Sequence, residues 1–223
     1  MEFPILNIDR VAHVGSLDAS HKARGSYEGS GLSVSLHPLS WASIAKLGDS
    51  GFILEKEGAR FIDRLAVGKA DIEAILQWGR ERGLVEDGMT WRVSYYDADD
   101  EARRFFTVAS REDAEAEAEI LENPRITGPK ATPRATQALL DLSMQDRPNL
   151  SPDMVVDLVL MAMAEEHDVD GVWWRERHDP ERLSAPRGVI LPGRLCKWSQ
   201  TECDLATLAE FQDDPDYRPG LRP

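Results

Sequence analysis

The order of secondary-structure signals predicts an α+β fold, with a split mixed or antiparallel β-sheet flanked by helices and a hairpin-plus-helix segment inserted into it. Three observations carry this expectation. Strand and helix signals succeed one another irregularly rather than as βαβα. Leu32-Ser33-Val34-Ser35-Leu36 alternates apolar and polar residues with period two, as a half-buried strand does. Lys69–Gly83 and Pro152–Glu166 carry strong helical signals.

From the N-terminus, Ile5–Val14 mixes β-branched residues with Asp9 and Arg10 and ends at Gly15-Ser16, which reads as a strand. Leu17–Gly31 is polar and rich in turn residues, hence a loop, and His37-Pro38 closes the strand that follows it. Ser40 is placed to cap a short helix carrying Trp41, Ile44, Ala45 and Leu47. Gly51–Glu55 and Arg60–Asp63 read as strands near a sheet edge. In Lys69–Gly83, Ile72, Ile75, Leu76 and Trp78 recur at helical spacing, and Gly83 stops the helix.

Trp91–Tyr96 and Arg103–Val108 flank the acidic turn Asp97–Glu101 and predict a hairpin. Ser110 opens a capping-box-like start to a charged helix over Arg111–Leu121. Pro124, Pro129 and Pro133 mark Asn123–Pro133 as a linker. Ala135–Met144 and Pro152–Glu166 read as helices, the second with Ser151 as N-cap and Pro152 at its first position. Gly171–Trp174 and Gly188–Leu191 are short apolar strands. The expected organisation is one domain over residues 1–204, with an insertion at 85–125. A loose tail follows over 205–223, rich in proline and charge after Asp213.

The bulk composition bounds function. With 223 residues, 42% of them hydrophobic and 30% charged, the chain can bury a sizeable core. Its longest apolar run, Met154–Ala164, is interrupted by Asp157 and is too short to span a bilayer. The N-terminus lacks the basic and apolar regions of a signal peptide, and two cysteines make no disulfide framework. A cytoplasmic protein with no membrane partner is therefore expected. The net charge of -14 argues against general nucleic-acid binding. It leaves room for a local basic patch, for which Arg187, Arg194 and Lys197 are candidates.

Three segments could carry chemistry. His13-Val14-Gly15-Ser16 can present an imidazole and backbone amides to a ligand, or hold a structural histidine. Gly25-Ser26-Tyr27-Glu28-Gly29-Ser30-Gly31 permits close backbone approach, with Tyr27 as a stacking face, or is a plain surface loop. It is neither a Walker loop nor a dinucleotide fingerprint, since a strand follows it. In the third, Trp173 and Trp174 point to opposite faces of a strand. Arg187, between Pro186 and Gly188, is a clamp for phosphate or carboxylate, or a surface ion-pair residue. His13, His21 and His37 have no standard metal spacing, so no metal is expected. Glu28 with His13 is a further acid–base pairing that the sequence leaves open.

Together these segments resemble the ADP-ribosyltransferase superfamily over about a third of the chain, the first fifty residues and about 168–198. His13 with Gly15 and Ser16 looks like the family's histidine motif, and Gly31-Leu32-Ser33-Val34-Ser35 like its second motif. The resemblance implies that NAD binds as substrate, with His13 on the adenosine-side ribose and an aromatic ring stacked on nicotinamide. It implies catalytic residues His13, Tyr27 and Arg187. It also implies cofactor contacts from His13, Gly15, Ser16, Gly31, Leu32, Ser33, Ser35 and Trp174. The acceptor would be a protein or a nucleic acid, as for a bacterial toxin or modifying enzyme. Ser33 and Ser35 stand where the family has its tyrosine, and Tyr27 would substitute from the loop. No glutamate lies on the late strand, where the nearest acids are Asp170, Glu176 and Asp179. Arg187 there suits phosphate-directed chemistry, as in the RNA 2′-phosphotransferase branch, or marks lost catalysis. The competing class is a non-catalytic, immunity- or antitoxin-like protein whose acidic surface binds a basic partner.

Overall fold

The structure, a computed structural model, describes residues 2–17, 27–28, 30–40, 50–98, 101–143, 150–174 and 187–213. The helix expected after Ser40 lies outside the described residues. Elsewhere the α+β expectation holds.

Among the described residues nine strands form the main sheet: β1 (Ile5–Asn7), β2 (Arg10–Val14), β3 (Tyr27–Glu28), β4 (Gly31–Ser35), β5 (Ser50–Glu55), β6 (Arg60–Asp63), β10 (Gly171–Trp174), β11 (Arg187–Ile190) and β12 (Ser199–Asp204). Their order is β1-β6-β10-β11-β4-β2-β5-β12, with β3 also on β4. Among the described residues only β6 and β10 run parallel; the other pairs are antiparallel. The sheet is therefore mixed. β5 and β6 each lie one strand in from an edge.

The single strand expected over Ile5–Val14 is broken at Ile8-Asp9. There the chain turns aside to meet the 56–59 turn. The Ile8 amide donates to the Ala59 carbonyl at 3.1 Å, and the Asp9 carboxylate accepts from the Ala59 amide at 3.1 Å.

Each sheet face has its own core. On one face, Ile62, Val172, Trp174 and Val189 pack with α1 (Lys69–Glu81), α3 (Gln137–Leu142) and α4 (Pro152–Ala164). The Ser151 hydroxyl accepts from the Met154 amide, and Pro152 occupies the first turn of α4. This helix is apolar nearly all round, as a buried helix must be. The other face gathers Val34, Leu54, Phe61, Trp173 and Trp198. Phe61 meets Trp173 and Trp198 edge-on at 5.8 and 6.0 Å. The two adjacent tryptophans thus serve opposite cores, as alternation requires.

The expected tail over 205–223 needs correction at its start. Leu205–Asp213 is a helix, α5, whose Leu208 and Phe211 are buried in the second core. Its apolar residues at helical spacing outweigh the polar composition of the segment as a whole.

A second sheet stands apart, built of β7 (Val85–Asp97), β8 (Ala102–Val108) and β9 (Glu122–Ala135) in the order β8-β7-β9. β7 and β8 form the expected hairpin. The expected charged helix is α2 (Arg111–Ala118), capped by the Ser110 hydroxyl on the Asp113 amide at 3.0 Å. The linker reading of Asn123–Pro133 is overturned, because this segment is most of β9, and the unit runs to Ala135 rather than 125. Prolines are admitted because β9 is an edge strand, with register shifts opposite Thr90/Arg92 and Ser94/Tyr96. Val85 and Ala135, paired at its base, join the first core. No helix among the described residues is long and apolar enough to cross a membrane.

Candidate functional site

His13 sits where β2 and β4 part. The two strands are in register only at Ala12 and Ser35, and β3 takes β4 at Gly31 and Leu32. Between these pairings the Ser33 carbonyl meets His13 Nδ1 at 2.7 Å, while Nε2 faces the Ser16 carbonyl at 3.2 Å. The ring is 1% exposed. Burial holds its pKa below 6.5, against the opposing pull of the two carbonyls. A neutral imidazole has one N–H, so only one contact is a hydrogen bond; the shorter distance assigns it to Nδ1. Both nitrogens are thus turned to the main chain, which is the structural-histidine alternative.

Other motif residues are also absorbed by packing. The Gly15 amide donates to the Ser50 carbonyl at 3.0 Å, and Ser16 supplies the carbonyl beside His13. Gly31 lies against Val189 and Met161, where a Cβ would come within 2.8 and 3.0 Å of their side chains. Ser33 is buried, and its hydroxyl has no partner among the described residues. Tyr27 pairs with Leu32 through the backbone, and its ring lies outside the described part of the chain.

A different set of motif residues does converge. Trp174, Arg187 and Ser35 stand in one cross-strand row over β10, β11 and β4. The Arg187 guanidinium lies 5.9 Å from the Trp174 ring. The Ser35 hydroxyl is buried and accepts from the His37 amide at 2.9 Å. Against this row α4 brings Asp157, whose carboxylate accepts from Arg64 Nε at 2.5 Å. Burial pushes the Asp157 carboxyl up, while hydrogen bonds from Arg64 and Trp174 pull it down. An aromatic face, two guanidiniums and a partly buried carboxylate therefore meet at one end of the central strands. Such a set can hold an anion beside a planar ring and stabilise positive charge next to it.

Arg64 and Asp157 were not among the expected site residues. Asp157 had a signal, as the lone charge within the apolar run Met154–Ala164. Arg64 had none, since it reaches the site only through the pairing of β6 with β10. Asp170, an acid near the late strands, belongs elsewhere: it binds Lys56 Nζ at 2.6 Å and the Arg60 amide at 3.0 Å at the opposite end of β10. Glu176 and Asp179 lie outside the described residues. The expected basic patch does not assemble either. Arg187 begins β11, whereas Arg194 and Lys197 lie beyond its end, where Arg194 donates to the His167 carbonyl at 2.8 Å.

At the far end of the same strands lies a cavity of about 820 Å³, walled by Leu32, Trp78, Leu158, Met161, Ile190 and Leu195. Arg82 closes part of its rim, stacked 3.9 Å from the Trp78 ring and paired with Glu166 at 3.2 Å. Leu32 is the one implied cofactor contact that lines it. No protein-family model, curated protein or solved structure matches the chain.

Proposed function

We propose that this chain is an NAD-handling, ADP-ribosyltransferase-like enzyme, with its ligand site at the Ser35–Arg187–Trp174 row rather than at His13. The observation that carries this reading is that row, because three of the motif residues meet there beside a carboxylate the late strand lacks. In this reading Arg187 holds the pyrophosphate, and Trp174 presents an aromatic edge to one of the two bases. Asp157, in its ionised form, stabilises the positive charge that develops on ribose as nicotinamide departs. Arg64 opposes the upward push of burial on the Asp157 carboxyl and fixes its orientation. His13 holds β4 in place from beneath.

Calorimetric titration with NAD tests the reading. The native chain should give saturable heat, Arg187→Ala should weaken binding at least tenfold, and Asp157→Asn should bind NAD yet release no nicotinamide. Absence of heat from the native chain, or binding indifferent to Arg187→Ala, would overturn it.

A further inference from the structure

The second sheet has one covered and one open face. Val93, Phe106 and Ile126 share the covered face, beneath α2 and its buried Ala114. The open face follows from the same register. Arg92 stands between Thr107 and Thr127, Ser94 between Phe105 and Arg125, and Tyr96 between Arg103 and Glu122. Further down, Lys130 lies beside Thr90 and Arg134 beside Glu86. Five cations thus share a face with two carboxylates, on a chain of net charge -14.

Most of the cations described on the rest of the chain are held by carboxylates, whereas these five are not. Arg10, Lys56, Arg60, Arg64, Arg80, Arg82, Arg104 and Arg111 each form an ion pair with a carboxylate. Among the described residues, Arg92, Arg103, Arg125, Lys130 and Arg134 form none. Arg134 instead donates to the Met89 carbonyl at 2.7 Å, and Arg92 stacks 3.8 Å from the Phe105 ring. In a protein with so many acids, a face that gathers five cations with two carboxylates and ion-pairs none of the five is arranged for an anion from outside.

We infer that the open face of the β8-β7-β9 sheet binds single-stranded nucleic acid. The cross-strand rows at Thr90, Arg92, Ser94 and Tyr96 each hold one cation from β7, β8 or β9, and successive rows lie about 6.8 Å apart along the strands, a step that an extended phosphodiester chain can follow. Phe105 is 59% exposed in the middle of the ladder, and a base can stack on the Arg92–Phe105 pair. Thr107 and Thr127 offer exposed hydroxyls to phosphate on either side of Arg92. An acidic polypeptide would use the cations but has no need of the exposed ring, so nucleic acid fits more of the face. The overall negative charge confines this binding to short range and makes it salt-sensitive. The inference is independent of the NAD reading, since the two sites share no residue.

Fluorescence anisotropy with the full chain and a labelled 12-nucleotide single strand tests it. Binding at low salt should weaken at least tenfold in the double variant Arg92→Glu, Arg125→Glu, and about fivefold or more in Phe105→Ala. All three positions are exposed, so circular dichroism should be unchanged. If the five cations all meet phosphates, the logarithmic salt slope should be about -3 to -4. No binding at low salt, or binding indifferent to the double variant, would overturn the inference. Tighter binding of poly-glutamate would overturn it in favour of an acidic protein partner, and tighter binding of a duplex would overturn the single-strand assignment.

Discussion

His13 donates its Nδ1–H to the Ser33 carbonyl at 2.7 Å, bridging β2 and β4 where their main-chain pairing stops. The ring thus takes the place of a missing ladder bond. His13→Ala should cost about 2–4 kcal/mol, from the lost ring and the unpaired buried carbonyl, as read by urea denaturation.

The same residue sets a pH dependence. Its folded pKa lies below 6.5, so the unfolded chain takes up a proton that the folded chain resists. Stability from this group is full above the unfolded value and is lost as pH falls from there toward the folded value. The thermal midpoint of the native chain should therefore drop on acidification through about pH 6.5. In His13→Gln that part of the drop should vanish.

Asp157 has the opposite sign. Its raised pKa means that the folded state holds the proton more tightly, so its contribution declines as pH rises through the folded value. Arg64 restrains this decline. Arg64→Met should cost about 3 kcal/mol at neutral pH and less in acid, where the carboxyl is neutral. Equal losses at both pH values would argue for lost packing alone.

Gly171 and Gly193 make a paired test of close packing. A Cβ on Gly171 would lie 1.9 Å from the Val189 carbonyl and 2.6 Å from Phe61, whereas one on Gly193 would meet nothing within 4 Å. Gly171→Ala should be destabilised by more than about 3 kcal/mol, and Gly193→Ala by less than about 0.5 kcal/mol. Differential scanning calorimetry would separate them.

α5 gives a simpler expectation. Leu208 is fully buried, so Leu208→Ala should cost about 2–4 kcal/mol, whereas a loose tail would register no change.

Elements with local chemistry were legible in the sequence. Ser151-Pro152 announced α4, and the two strand-like segments flanking the acidic turn announced the β7/β8 hairpin. What was misread depends on neighbours that sequence does not display. Proline density in Asn123–Pro133 is a break signal, yet an edge strand with bulges accommodates it. His13 and Gly31 look like a ligand motif in isolation, but in the fold the His13 ring faces the Ser33 and Ser16 carbonyls, and Val189 and Met161 pack against Gly31. Arg64 and Asp157 are 93 residues apart and meet only once α4 lies on the sheet. The open basic face was hidden by the net charge, because its five cations come from three strands and cluster only in register.

β10 and β11 join two groups of strands, β1 with β6 on one side and β4 with β3, β2, β5 and β12 on the other. During synthesis, β6 and β4 leave the ribosome more than a hundred residues ahead of the strands that will seal them. Until Ile190 has emerged, each group presents an open edge able to pair with another chain. A premature stop between β6 and that residue would leave the edges of β6 and β4 unsealed, and aggregation rather than partial activity is its expected fate.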